Sequence, residues 1–130
     1  MKGEKFILFL ALPVLLSGCN VDLFNLGCRD IGQSGYALCQ GEDKSLYYLQ
    51  RSGDAISGGG LLEGTVKTIG WNGTSIIASR YSTFRGDPDG LMVLDIPSGH
   101  LSGPVNPRDI EREYPSIEQQ SASLAWAGLR

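Results

Sequence analysis

Residues 65–81 read TVKTIGWNGTSIIASRY and carry the strongest fold signal in the chain. Both halves are rich in β-branched and aromatic residues, and Asn72-Gly73 divides them. Asn-Gly is the preferred pair for a two-residue type I′ turn, because both turn positions need a positive φ. The pattern therefore predicts a β-hairpin in which Ile69 faces Ile76. This register places four side chains on one face, which we expect to be buried: Ile69, Trp71, Ile76 and Ala78.

Further strand patterns flank this hairpin on both sides. Residues 34–40 and 45–52 are apolar and aromatic runs separated by a polar turn at 41–44, and residues 91–96 form another run after a turn-rich segment. The 18 glycines suit strands joined by tight turns better than a helical bundle. We therefore expect a mainly β (α+β) fold with one small antiparallel sheet of five to six strands.

The periodicity changes after residue 105. Asn106-Pro107 is a typical helix start, an N-cap residue followed by proline at the first helical position. A helix over 108–114 should end at Pro115. Ser116 with Gln119 three residues later resembles a capping box, so a second helix is expected over 117–127. One or two C-terminal helices should pack against a face or an edge of the sheet.

Length and charge limit the possible functions. A chain of 130 residues fits a single domain, and its formal net charge of −3 gives no basic surface for nucleic acid. The content of hydrophobic residues, 42%, is ordinary for a globular chain and argues against general disorder.

The N-terminus has the features of a bacterial lipoprotein signal. Two lysines precede an uncharged run over 6–16, which is shorter than the roughly 20 residues of a membrane-spanning helix. Leu16-Ser17-Gly18-Cys19 resembles a lipobox, in which the thiol of the cysteine accepts diacylglycerol and the chain is cut before it. We expect residues 1–18 to be a removed signal peptide, 19–33 a lipid-anchored tether and 34–130 a single β-rich domain.

Cleavage there would leave 112 residues and, with Lys2, Lys5 and Glu4 gone, a net charge of −4. Diacylglycerol and N-acyl chains such as palmitate on Cys19 would anchor the protein stably in a bilayer. The expected location is the cell envelope, facing away from the cytoplasm. The absence of Asp after Cys19 favours the outer membrane if the host is Gram-negative, although inner and outer membranes both stay open.

Cys28 and Cys39 remain once Cys19 carries lipid. An even pair in an oxidising compartment predicts a disulfide, and free buried thiols are the alternative. The spacing of the pair is not that of a redox motif, and His100 is the only histidine, so a metal site is not expected. No cofactor other than the covalent lipid is implied.

No residue pattern indicates catalysis. His100 has no nucleophile motif near it, and Asp87-Pro88-Asp89-Gly90 lacks the later ligands of a calcium loop. Several carboxylates could in principle form a glycosidase pair, but their spacing selects no two of them: Glu42, Asp43, Glu63, Asp87, Asp89 and Asp95. We expect a non-enzyme.

One aromatic and basic group near a hairpin end is the candidate exposed binding patch. It consists of Arg80, Tyr81, Phe84 and Arg85. Aromatic and arginine side chains are the residues that most often anchor an interface. Other aromatic residues of the strands are more typical of a core.

The order of these features resembles a family of small bacterial lipoproteins that share a domain of unknown function. The resemblance rests on the lipobox and on motifs spread over about residues 30–115: Gly35-Tyr36, Tyr48-x-Leu-x-Arg51, Val66-x-x-Ile69-x-Trp71-Asn72, Ile76-Ile77-Ala78-x-Arg80, Val93-x-Asp95, Gly99 and Gly103-Pro104. It implies a compact β-rich domain beside a membrane and assigns no catalytic residues.

The sequence therefore predicts a membrane-anchored, non-enzymatic binding or envelope-structural module. Its partners would be the bilayer, through the anchor, and an envelope protein or glycan, with no role for nucleic acid. The alternative is a periplasmic or surface inhibitor of a lysozyme-like enzyme, for which residues 80–90 are the candidate inhibitory loop.

Overall fold

Eight strands and two short helices make up the described part of the chain. The structure is a computed structural model that describes residues 27–53, 61–62, 64–81 and 89–130. The elements are β1 (Cys28–Asp30), β2 (Tyr36–Gln40), β3 (Tyr47–Arg51), β4 (Thr65–Trp71), β5 (Ser75–Tyr81), β6 (Gly90–Asp95), β7 (Leu101–Val105), α1 (Pro107–Glu113), β8 (Gln120–Ser121) and α2 (Ala122–Gly128).

The expected mainly β class is confirmed, but the strands form two antiparallel sheets and not one. A three-stranded sheet has the order β1-β2-β3, and a five-stranded sheet has the order β7-β6-β5-β4-β8. The expected count of five to six strands is too low. The additional strands β1 and β8 have three and two residues, and segments that short carry no readable alternation.

The folded part of the chain begins earlier than residue 34, where the sequence placed the end of the tether. Residues 28–30 form β1 and pair with β2, and Ile31 is only 1% exposed. Within the expected tether of 19–33, residues 27–33 therefore belong to the domain, and residues 19–26 lie outside the described part.

The hairpin of residues 65–81 is confirmed, but its predicted register is wrong by two residues. Ile69 faces Ala78, and Trp71 faces Ile76. The N–H of Asn72 donates to the Ser75 carbonyl at 3.0 Å, so Gly73-Thr74 is the loop. The Asn72 side chain accepts hydrogen bonds from the N–H groups of Thr74 and Ser75, both at 2.9 Å.

The size of the register shift explains why the predicted side chains still lie on one face of the sheet. Gly73 does not adopt the positive φ that the type I′ turn requires, and the Asn72 amide organises the turn instead. A shift by two residues keeps every side chain on its face, whereas a shift by one would invert the strand. Ile69, Ile76 and Ala78 are accordingly buried, and Trp71 is half-buried at the end of the strand.

The five-stranded sheet is covered on both faces. One face, including Ile69, Ile76 and Leu94, packs in the main core with Leu38 and Leu49 of the three-stranded sheet. The opposite face forms a smaller cluster of Ile77, Val93, Ile110 and Ile117, which α1 and the segment after it cover. This double burial explains why β5 reads as a continuous apolar run over 76–78.

The first C-terminal helix is confirmed and the second begins later than predicted. The Asn106 side chain accepts from the Arg108 N–H and caps α1, which ends at Tyr114 before Pro115. The predicted start at residue 117 and the Ser116–Gln119 capping box are wrong, whereas a second helix is present over Ala122–Gly128. Residues 120–121 instead form β8 against β4, and Ser121 caps α2.

Tertiary contacts explain the later start of α2. The side-chain oxygen of Gln119 accepts a hydrogen bond from the Thr68 hydroxyl of β4 at 2.9 Å. In a capping box, the same side chain would instead bond to the backbone N–H of Ser116. Ile117 is buried in the smaller cluster. Strand pairing and burial therefore replace a marginal local helix signal.

Candidate functional site

The predicted disulfide joins the first two strands. Cys28 and Cys39 face each other in the β1–β2 register and are bonded. The Gln50 amide nitrogen lies 3.4 Å from the Cys28 sulfur. Cys39 is fully buried, so the bridge fastens the edge strand β1 to the interior of the three-stranded sheet.

A second connection, the terminal clasp, joins β1 to α2 through Gly27, Arg29, Trp126 and Leu129. The Arg29 guanidinium donates to the carbonyls of Trp126 at 2.8 Å and Leu129 at 3.1 Å, and lies 3.6 Å from the centre of the Trp126 ring. The Trp126 indole N–H donates to the Gly27 carbonyl at 2.9 Å. Sequence reasoning missed this clasp, because its members lie about 100 residues apart and neither end carries a local pairing signal.

The predicted patch of Arg80, Tyr81, Phe84 and Arg85 is only half described. Tyr81 is 51% exposed, and the Lys67 ammonium lies 5.3 Å from its ring centre. Arg80 donates to the Leu62 carbonyl at 2.8 Å, so its side chain is held to the backbone. Phe84 and Arg85 lie outside the described residues, as do residues 82–88 of the candidate inhibitory loop.

The polar residues weighed for catalysis are mostly found in turns. Asp95 accepts from the backbone N–H and hydroxyl of Ser98, and His100 is exposed in the same turn. Glu42 and Asp43 lie in the turn before β3, whereas Glu63 and Asp87 are outside the described residues. Over 27–53, 61–62, 64–81 and 89–130, no three His, Cys, Asp or Glu residues are grouped to hold a metal ion.

Hydrogen bonds within a turn lower the pKa of the Asp43 carboxyl. Its carboxylate accepts from the Ser45 hydroxyl at 2.6 Å and from the Ser45 N–H at 3.0 Å. These bonds lower the pKa of Asp43 below its ordinary value, because they favour the charged form. This is the chemistry of an Asx turn and not that of an acid or base.

A cavity of about 410 Å³, here called the Trp71 cavity, opens where the ends of the two sheets meet. It is lined by loop residues 31–34, hairpin residues 71–73 and Ile96. The Trp71 ring and the two isoleucines provide apolar wall, and Gln33, Ser34 and Asn72 provide polar groups. None of the lining residues carries a charge.

Two other cavities have charged walls. One of about 230 Å³ beside Cys28 includes Asp30, Arg51 and Arg130. Another of about 340 Å³ between β6 and α1 includes Glu111. The absence of charge therefore distinguishes the Trp71 cavity from both of them.

Comparison with known proteins assigns no relative. No protein-family model matches the chain, and neither a curated protein nor a solved structure matches it. Of the helices in the described residues, none has the length and apolar character needed to span a bilayer.

Proposed function

We propose that this protein is a lipoprotein of the bacterial cell envelope that acts as a non-enzymatic binding or envelope-structural module. The observation that carries the proposal is the Leu16-Ser17-Gly18-Cys19 box directly after the uncharged run over 6–16. Cys19 would carry diacylglycerol and an N-acyl chain and hold the protein on a membrane surface. The protein would face away from the cytoplasm, on the outer membrane if the host is Gram-negative.

The position of β1 suits a tethered domain. Only eight residues separate Cys19 from Cys28, so the domain would stay within about 30 Å of the lipid even with that segment fully extended. Any pull from the anchor would act first on β1. This strand is bonded to β2 by the disulfide and to α2 by the terminal clasp.

The surface favours binding over catalysis. The Asp43 and Asp95 carboxylates are engaged by neighbouring serines, and His100 lies exposed in a turn. A general acid–base mechanism needs titratable groups that converge on one reacting atom. An envelope protein or a glycan is the proposed partner class, and a net charge of −4 after cleavage argues against nucleic acid.

The test is metabolic labelling of the full chain with radioactive palmitate in a bacterial host. The wild type should take up label, and Cys19→Ser should take up none, because the thiol is the acceptor. The matched control is the double variant Cys28→Ala with Cys39→Ala, which keeps Cys19 as the sole thiol and should be labelled normally.

Membrane partitioning provides a second readout. Replacing residues 1–19 by an ordinary cleavable secretory signal should move the protein from the membrane fraction to the supernatant. Label that persists in Cys19→Ser, or membrane association that survives this replacement, would refute the anchor.

A further inference from the structure

We propose that the Trp71 cavity binds a short uncharged saccharide, which would be the glycan partner of the proposed function. The cavity brings together three features that a sugar requires. These are an aromatic ring, amide groups with hydrogen-bonding atoms that none of the described residues uses, and a lining without charge. The inference rests on the proposed function, because the proposed location in the cell envelope is where the protein would encounter such a glycan.

The Trp71 ring supplies the apolar part of the recognition. Trp71 is half-buried at the end of β4, with one side packed on the main core and the rest reaching the cavity. A pyranose ring presents a patch of C–H groups on one face, which suits contact with a large rigid aromatic surface. Ile96, also half-buried, adds apolar wall.

The polar part comes from two amides. The Asn72 side-chain oxygen is already used by Thr74 and Ser75, whereas its amide nitrogen donates to none of the described residues. Gln33 is exposed at the cavity, and its side chain bonds to none of the described residues either. An amide donates and accepts, which matches the hydroxyl groups of a sugar.

The uncharged lining selects among ligand classes. A phosphate, a carboxylate or a basic peptide is bound tightly when the site offers an opposite charge. The Trp71 cavity offers none, and its volume of about 410 Å³ lies in the range of small-molecule sites, about 300–1,000 Å³. A neutral polyhydroxylated ring is the ligand that this combination favours.

Local hydrogen bonds hold the cavity walls in place before any ligand binds. Ile31 and Tyr36 are joined across the first loop at 2.9 Å. The Asn72 side chain fixes the hairpin, and the Ile96 N–H donates to the Thr74 carbonyl at 2.9 Å. A wall ordered in advance lowers the entropic cost of binding.

Tryptophan fluorescence can test this inference, because the chain has two tryptophans and only Trp71 lines the cavity. The full chain is purified in a detergent without a sugar headgroup. Trp126→Phe leaves Trp71 as the sole reporter. Cellotriose and N-acetylated chitotriose are the neutral probes, and trigalacturonate is the charged probe of similar size.

The expected result is saturable binding of at least one neutral trisaccharide, with about tenfold weaker binding of trigalacturonate. Trp71→Ala lacks the fluorescent reporter and is therefore measured by calorimetry; it should weaken binding by about tenfold, as expected for the loss of an aromatic contact. Asn72→Asp keeps the oxygen that fixes the turn but removes the amide donor, and should also weaken binding. Trp126→Phe is the matched control and should bind as the wild type does, measured by calorimetry.

Several outcomes would overturn the inference. They are no binding of either neutral probe up to about 10 mM, equal binding of the charged probe, or unchanged affinity in Trp71→Ala. If Trp71→Ala does not fold by circular dichroism, Gln33→Ala at the exposed loop replaces it and must weaken binding. Palmitate labelling of the same preparation is scored separately, so a failed anchor and a failed saccharide site remain distinguishable.

Discussion

Arg29→Ala tests directly whether the terminal clasp holds β1 to α2. Arg29 is half-buried, and its guanidinium donates to the carbonyls of Trp126 and Leu129 while lying over the Trp126 ring. Removing the side chain removes its hydrogen bonds to the two carbonyls near the end of α2 and exposes one face of the Trp126 indole to water. We therefore expect a large loss of stability from a residue that carries no sequence signal.

The magnitude follows from the contacts. Two hydrogen bonds from a partly exposed cation contribute about 1 kcal/mol each to the free energy of unfolding, and the cation–π contact contributes about 0.5–1 kcal/mol. Arg29→Ala should therefore lower the free energy of unfolding by about 2–3 kcal/mol. For a domain of this size, the melting temperature should fall by about 10–20 °C. Arg29→Lys keeps the charge but loses the planar fork, and should lose about half as much.

Urea denaturation followed by Trp fluorescence is the assay, with circular dichroism as a second probe of the same transition. The control is Arg112→Ala, because Arg112 is 72% exposed and, among the residues that the structure describes, pairs with Asp109 alone on the surface of α1. That substitution should change stability by less than about 0.5 kcal/mol. An Arg29→Ala protein that unfolds at the same urea concentration as Arg112→Ala would refute the reasoning.

Three further predictions concern the disulfide, a close backbone approach and a titration. Cys28→Ala with Cys39→Ala should lower the free energy of unfolding by about 3 kcal/mol, because the bridge closes a loop with a sequence separation of 11 residues; calorimetry would measure this. Gly70→Ala should cost about 1–3 kcal/mol, since its Cβ would lie 2.3 Å from a backbone oxygen of the segment before β8; the melting temperature is the readout. In a carboxyl NMR titration, Ser45→Ala should raise the pKa of Asp43 towards its ordinary value.

The last two of these predictions have internal controls. A Cβ on Gly73 would meet nothing within 4 Å, so Gly73→Ala should melt close to the wild type, and an equal loss at both glycines would contradict the steric explanation. For Asp43, the folded pKa lies below the unfolded one. Its contribution to stability is therefore present above the unfolded pKa and is lost as pH falls through the folded pKa. A pKa of Asp43 that is the same with and without Ser45 would contradict the assignment.

Much of the secondary structure could be predicted from short-range signals. The strands around the 41–44 turn, the 65–81 hairpin and the start of α1 at Asn106-Pro107 are all where their local patterns indicate. Each rests on steric and hydrogen-bonding preferences that act within a few residues. The predicted hairpin register is wrong because Asn72 can either occupy the first position of a type I′ turn or cap a turn with its side chain. It caps the turn, so the two-residue loop is Gly73-Thr74, one residue later than predicted.

The candidate site was less predictable. The sequence singled out Trp71 as a core residue and Asn72 as a turn residue, and gave no reason to place either beside Gln33. The predicted patch, in contrast, grouped Arg80 with Tyr81 only because the two residues are close in the sequence. Arg80 proves to be bound to the Leu62 carbonyl. Proximity in sequence does not show which side chains share one surface.

The sequence by itself determined the β-rich class, the Cys28 and Cys39 pair that could form a bridge and the Leu16-Ser17-Gly18-Cys19 motif on which the proposed anchor depends. These follow from alternation, residue chemistry and spacing, which are local properties. Only the tertiary structure decided that β8 pairs with β4, that Arg29 covers Trp126 and that an uncharged cavity forms at Trp71. These contacts join residues between about 40 and 100 positions apart, so they exist only once both sheets have formed and the chain has closed around a common core.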